Sequence, residues 1–499
     1  MQIKPNQQMR RPSCGAPWPI IESHPVSLRL ADTQALKILR DTLLHEHAAL
    51  GANWFEKMGV RAGWCDRPCL YIEDHRSISR LTDEAAKWFE YRMLGLAGPD
   101  DGALVSSPPD REFEDYIEAA TGHKTPLVLP VEAGRRVGRR RLAGDALNTP
   151  EIFDQIVQLA RRGGGLNLVP YISSGDIWVL ASQVAQETGL PVCVTAPPPA
   201  ISALANDKLW FTRIARRLIG ARAVPLTREV HSLSDLAKTV RDIAKISTRL
   251  VFKLPASAGG LGNISFDALP FRGLRLGDIA VKIRTQLQNL GWRSGDKLLV
   301  GRWDTDVSAS PSVQIWVPDA QQRRPIIEGV FMQVVTGPKG AFVGAQRANL
   351  EAVTTDALTY QAMQIATLLQ GLGYVGRLSL DAVLLGDQSK GVDIHWIEAN
   401  ARWGGVSIPM TLAHKLEQAG ASLQLAITQH HLAPGSERSV STVQARFDAR
   451  RQEQGFDPCE TAIFLVPPST GLALIVGLAM TRTRAHELAQ IAFEACAER

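Results

Sequence analysis

The run Trp396-Ile397-Glu398-Ala399-Asn400-Ala401-Arg402 carries the clearest chemistry in the sequence. Successive side chains of an extended strand alternate between faces, so Glu398, Asn400 and Arg402 share one side while apolar Ile397 and Ala399 take the other. On the preceding strand-like run Arg377, Ser379 and Asp381 follow the same alternation, and pairing of the two runs would set Asp381 beside Glu398. Carboxylate and amide oxygens are the hard ligands that Mg²⁺ prefers, with phosphate oxygens and water completing its shell. Any one of these residues would pass as an ordinary exposed polar residue. Asp381, Glu398 and Asn400 together point instead to metal-assisted phosphoryl chemistry, in which the cation offsets repulsion between phosphates and an anionic substrate.

A second group is Val251-Phe252-Lys253-Leu254 followed by Gly259, Gly260, Leu261 and Gly262. A lysine leaving a buried strand offers a point charge to phosphate, and glycines let backbone N–H groups approach phosphate oxygens. The run lacks the GxxxxGK[ST] pattern of a P-loop and the GxGxxG dinucleotide fingerprint. Taken alone, such a loop is as often a simple turn.

These residues need a scaffold of alternating elements. From residue 151 onward the pattern reads helix 151–161, strand 166–171, helix 177–188 and strand 191–195, which argues for parallel βαβ units. Further on, strands are expected at 250–254, 298–303, 313–317, 376–385 and 392–399, with a helix at 356–369 and another opening near Ile408. Two strands at 462–466 and 472–476 and a helix at 485–496 close the chain. Before residue 98 helical patterns cover 32–50 and 82–96 around a strand-like run at 69–72, and the turn-rich stretch 98–110 reads as a linker.

Composition sets outer bounds. With 499 residues, 45% hydrophobic and 21% charged, the chain has the balance of an ordinary globular enzyme of several domains. No apolar run is long enough to span a bilayer, so the expectation is a cytoplasmic protein without membrane contact. Of its six cysteines only Cys65 and Cys69 lie close in sequence, and no second pair or histidine set accompanies them, which argues against zinc. The net charge of +5 owes much to Arg135, Arg136, Arg139, Arg140 and Arg141. Without interleaved aromatics this run reads as a solvated surface, and no nucleic-acid partner is expected. His231, His395, His430 and His431 have no fixed-spacing partners and read as structural. Ser173-Ser174-Gly175-Asp176 reads first as a helix cap, and Gly404-Gly405 with Ser407 as a turn and a cap.

In this order the pieces resemble the ATP-grasp superfamily over residues 206–420, and the layout is similar to peptide ligases of the pheganomycin type. The resemblance implies an α/β chain: an ATP-grasp fold of two α+β subdomains clasping ATP, preceded by a Rossmann-like pre-ATP-grasp domain and an N-terminal extension. The boundaries would be 1–110 for the extension, 111–205 for the Rossmann-like domain, 206–297 for the small subdomain and 298–499 for the large one. Asn206-Asp207-Lys208-Leu209 resembles the helix start whose lysine reaches ATP phosphate. By the same likeness Lys253 is a second phosphate lysine, Gly259, Gly260 and Gly262 belong to a phosphate-covering loop, and Asp381, Glu398 and Asn400 hold Mg²⁺. Arg377 and Arg402 would stabilise the transferred phosphoryl group, although two extra residues separate Arg377 from the acid. Leu298-Leu299-Val300-Gly301-Arg302-Trp303 falls where the family has a hinge glutamate; Gly301 stands there, leaving Val300 and Arg302 as nucleotide contacts. The implied activity joins a small-molecule carboxylate to an amine, amino-acid or peptide-like, using ATP and Mg²⁺, in a chain compatible with a homodimer. The alternative is an ATP-binding regulator or scaffold that has lost catalysis, against which the intact acid set speaks.

Overall fold

A computed structural model describes residues 16, 18–51, 55–76, 87–131, 141–255, 262–336, 341–387, 391–417, 423–433, 435 and 438–498. Gly259, Gly260 and most of the arginine-rich run lie outside the described residues. Three sheets organise the chain.

The first is a six-stranded, all-parallel sheet. Its strands run, edge to edge, Val60–Ala62, Val192–Val194, Leu166–Pro170, Cys69–Ile72, Gly102–Val105 and Leu127–Pro130. The expected βαβ units are present, with helices Pro150–Gly163 and Gly175–Thr188 beside the Leu166–Pro170 strand. Strands from the expected N-terminal extension join the same sheet, including one inside the expected linker. Gly102–Val105 is wholly buried, and the turn before it is held by Asp101, whose carboxylate accepts from Gly98 N at 2.7 Å and Cys69 N at 2.8 Å. The turn residues are real; the apolar Ala103-Leu104-Val105 that follows them is core. The expected helix at 82–96 is replaced, in its described part, by short 3₁₀ turns at Trp88–Tyr91 and Leu94–Leu96.

The second sheet has four strands in the order Thr227–Val230, Leu298–Arg302, Arg249–Lys253 and Asn263–Asp267, backed by helices Leu233–Ala244 and Leu276–Leu290. Leu298–Arg302 therefore lies in the small sheet rather than at the head of the large one, and is paired on both sides. Gly301 has a steric reason to be glycine. A Cβ there would stand 2.7 Å from Leu226 O and 2.8 Å from Thr227 Oγ1, so no hinge glutamate fits this position. Gly301→Ala is expected to lower unfolding stability by about 1–3 kcal/mol through overpacking; a urea midpoint equal to the parent's would refute the contact.

The third sheet has nine strands and is antiparallel throughout, with Gly376–Leu385 lying between Pro311–Val317 and Asp393–Asn400. Helix Ala352–Gly371 packs against it through Leu358, Met363, Ile365 and Leu369. Among the described residues no helix is long and apolar enough to cross a membrane.

Candidate active site

Alternation alone put Asp381 and Glu398 on matching faces, and the strand register makes them direct cross-strand partners, with Ser379 opposite Asn400. Immediately beyond, Ala382 faces Trp396 and Ile397 is left as the extra residue of a bulge. Bulges re-aim side chains at the ends of regular pairing. The cross-strand neighbour on the other side is Ser312, whose Oγ donates to Asp381 Oδ1 at 2.6 Å. Asn400 Nδ2 donates to Asp381 Oδ2 at 2.8 Å, and Arg402 Nη1 donates to Asn400 Oδ1 at 2.5 Å. Gln314 Nε2 donates to Ser312 Oγ at 2.9 Å, and Gln333 adds another hydrogen bond to Asp381.

The lysines arrive from separate elements. Asp207 caps helix Lys208–Leu218 by accepting from Leu209 N and Trp210 N. The preceding Asn206 accepts from Ala401 N at 3.0 Å, tying the helix start to the end of the Glu398 strand. Lys208, directly after the cap, reaches Glu398 Oε2 with Nζ at 2.7 Å. Its backbone N–H donates to Pro255 O at 3.1 Å, fastening the exit of the Lys253 strand to the same corner. At the other end of the glycine-rich stretch Gly262 O accepts from Leu254 N at 2.9 Å, so the stretch is closed at its base.

The charges respond to one another. Burial and the nearby Glu398 charge push Asp381 up to about 6, against the hydrogen bonds from Ser312 and Gln333. Burial works against ionisation of Glu398 as well, but Lys208, Arg402 and Lys253 outweigh it and hold that carboxyl below its usual range. Burial, aided by Lys208 and opposed by Glu398 and Asp304, pushes Lys253 down to about 8. Two crowded carboxylates flanked by two lysines fit a magnesium–nucleotide group, because a cation between the acids relieves the strain that raises Asp381. Asp381 and Glu398 offer free acceptor capacity for it. Asn400 Oδ1 is engaged by Arg402, so it would ligate a cation only by exchanging that partner.

Two expected residues lie elsewhere. Arg377 is four residues along its strand from Asp381, roughly 13 Å at the rise of a strand. Its guanidinium sits 5.4, 5.5 and 5.0 Å from the rings of Trp18, Trp316 and Trp403, and it pairs with buried Glu328 and donates to Thr411 Oγ1 at 2.6 Å. The structure does not bring it to the acid cluster. Val300 is fully buried in the core of the small sheet, so its side chain cannot reach a nucleotide. Arg302 does stand at the exit of that strand, with Nη2 3.0 Å from Asp304 Oδ1.

Sequence reasoning left Asp304 and His395 unpaired. His395 Nδ1 lies 2.7 Å from Asp304 Oδ2, linking the small sheet's exit to the Glu398 strand. Neither serine run shows the expected side-chain cap: Ser407 Oγ accepts from Gly404 N at 2.8 Å, closing the turn before its helix, Ser174 makes no side-chain cap hydrogen bond, and Ser173 Oγ accepts from Trp178 Nε1 at 2.9 Å.

Residues 90–190 match the Pre ATP-grasp domain family. No curated protein is significantly similar by sequence. Among solved structures, the N5-carboxyaminoimidazole ribonucleotide synthetase of Thermus thermophilus is similar over 86% of this chain and 99% of its own, with 14% identity and a TM-score of 0.50. A biotin carboxylase from Campylobacter jejuni, solved as a β,γ-ATP complex, is similar over 86% of this chain and 91% of its own, with 11% identity and a TM-score of 0.50. These likenesses show the fold alone: the chain has an ATP-grasp fold, and one stretch of it matches the Pre ATP-grasp domain family. Three strands of the parallel sheet, Gly102–Val105, Leu127–Pro130 and Leu166–Pro170, lie within the matched residues.

Proposed function

We propose that the protein is an ATP- and Mg²⁺-dependent ligase that activates a substrate carboxylate as an acyl phosphate and joins it to an amine, releasing ADP and phosphate. The observation that carries this reading is the pairing of Asp381 with Glu398 across adjoining strands, with Lys208 on Glu398. Asp381 and Glu398 would hold Mg²⁺, with Asn400 as a third ligand; the bound ion would neutralise phosphate charge. Lys208 and Lys253 would bind the distal phosphates, the 259–262 glycines would cover them, and Arg302 would contact the nucleotide at the exit of the small sheet.

Arg402 would stabilise the transferred phosphoryl oxygens. It is fixed by Asn400, while its Nε is buried with no hydrogen-bond partner among the described residues. Preorganised positive charge of this kind acts where negative charge develops. Arg377 is assigned a positioning role, holding Trp403 directly after Arg402. Support for an ATP substrate comes from the fold and from the nucleotide carried by the biotin carboxylase that shares it.

A panel of amino acids and short peptides, tested in pairs for stimulated ADP release, identifies the substrates. The donor is then supplied with heavy oxygen in its carboxylate. One labelled oxygen is expected in inorganic phosphate, with no AMP or pyrophosphate. Label appearing in AMP would mean adenylation and would overturn the acyl phosphate reading.

A further inference from the structure

Four residues stand level across the parallel sheet: Arg61 faces Cys193, Cys193 faces Asn167, and Asn167 faces Cys69. Side chains level on adjoining strands share a face, with strands about 4.8 Å apart. The loop after Val60–Ala62 folds back over this row. Gly63 N donates to Val194 O at 2.9 Å, Cys65 N donates to Asn167 Oδ1 at 2.9 Å, and Cys65 Sγ lies 3.4 Å from the same oxygen. Asn167 Nδ2 donates in turn to Cys65 O and Arg67 O, each at 2.8 Å. One fully buried amide thus clamps the Cys65 turn and holds its thiol over Cys193, with which it shares a hydrogen bond. On the other side of Cys193, Arg61 Nη2 lies 3.9 Å from Sγ.

None of these groups takes part in the proposed ligase chemistry. We propose that Cys65 and Cys193 form a reversible disulfide on exposure to hydroperoxides, making this face of the parallel sheet a redox modification site. The Cys193 thiolate attacks the peroxide: an S–O bond forms, the O–O bond breaks, and the alcohol or water leaves after taking a proton. Cys65 then attacks the sulfenic sulfur; the S–S bond forms and the hydroxyl leaves as water with the Cys65 proton. Two thiols are oxidised and one peroxide is reduced.

The electrostatics divide the roles in that way. The hydrogen bond from Cys65, together with Arg61 and against burial, brings Cys193 down to about 7, while Cys65 is held well above the ordinary thiol range. A thiolate is the nucleophile, and neighbouring guanidinium charge is a known means of populating it. Cys65 is partly exposed and Cys193 lies beneath it, so the oxidant enters past the thiol that later resolves the sulfenic acid.

The test treats the native full-length chain with hydrogen peroxide, alkylates remaining thiols and maps the peptides by mass spectrometry, with circular dichroism confirming an unchanged fold. The expected product is a Cys65–Cys193 disulfide that a dithiol reductant reverses, with exposed Cys459 still alkylatable. In Cys65→Ser the disulfide should vanish and a dimedone adduct should appear at Cys193. Arg61→Gln should slow disulfide formation about fivefold at pH 7, the effect of about one pKa unit on the thiolate share of a group that titrates near 7. The proposal is overturned if both thiols stay alkylatable, if Cys65 joins any other cysteine, or if the bond forms only with loss of the native dichroism signal.

Discussion

Glu398→Gln is expected to keep the native fold, at some cost in stability because the buried Lys208 loses its paired charge, while lowering ATP turnover by about a hundredfold to a thousandfold, the range seen when one electrostatic contact to a developing charge is removed. The shape of the side chain is kept, so the strand pairing with Asp381 and the bulge at Ile397 have no reason to change. What disappears is the charge that meets Lys208 at 2.7 Å and crowds Asp381. With it goes most of the attraction for a divalent cation, since Asp381 alone gives one carboxylate and Asn400 Oδ1 is already taken by Arg402. Titrating Mg²⁺ against ADP release should show a weakened cation dependence alongside the lost turnover. A variant with parent turnover and an unchanged Mg²⁺ titration would show that Glu398 is no metal ligand.

The acid pair was legible because it rests on the simplest rule of strands, a period of two, in two long runs. The strand expected at 376–385 forms over those same residues, and its neighbour starts within one residue of expectation. Length was only part of what hid a strand, since short Cys69–Ile72 and Val192–Val194 were expected while Ile326–Thr336, with eleven residues, was not. Val60–Ala62 and Gly102–Val105 hold three and four residues, too few for alternation to register, and the second sits behind a Gly-Pro-Asp-Asp turn that reads as loop. Contacts between remote positions were equally out of reach. Asp304 and His395 are 91 residues apart and meet only because the segment leaving the small sheet carries Asp304 to the Glu398 strand. Gly301 had a visible oddity but no visible cause, since the cause is the backbone of Leu226. Arg377 is the sharpest case. By spacing it belonged with the acids, while the residues that surround it come from positions 18, 316, 328, 403 and 411.

That enclosure makes Arg377→Met strongly destabilising, by about 3–5 kcal/mol, the cost of leaving one partner of a buried ion pair without the other. Glu328 is fully buried, and its second oxygen has no hydrogen-bond partner among the described residues; His414 Nδ1 stands 3.7 Å from that oxygen. His414 gives no compensating charge, because burial and the charges of Arg347 and Arg377 push it down to about 3. Burial pushes Arg377 itself down to about 9, which leaves it protonated at neutral pH and able to serve Glu328. Removing both charges together should behave differently. In Arg377→Met/Glu328→Leu no uncompensated ion remains among the three indoles, and apolar replacement of a buried pair is often close to neutral. The double variant is therefore expected to recover most of the stability lost by the single one in urea unfolding. Additive losses would mean that the two residues are not coupled through this pair. A positioning role for Arg377 adds a second readout. If it acts through Trp403 on Arg402, the refolded double variant should bind Mg-ATP with near-parent affinity and turn over slowly, whereas direct phosphate binding by Arg377 would weaken nucleotide affinity in step with turnover.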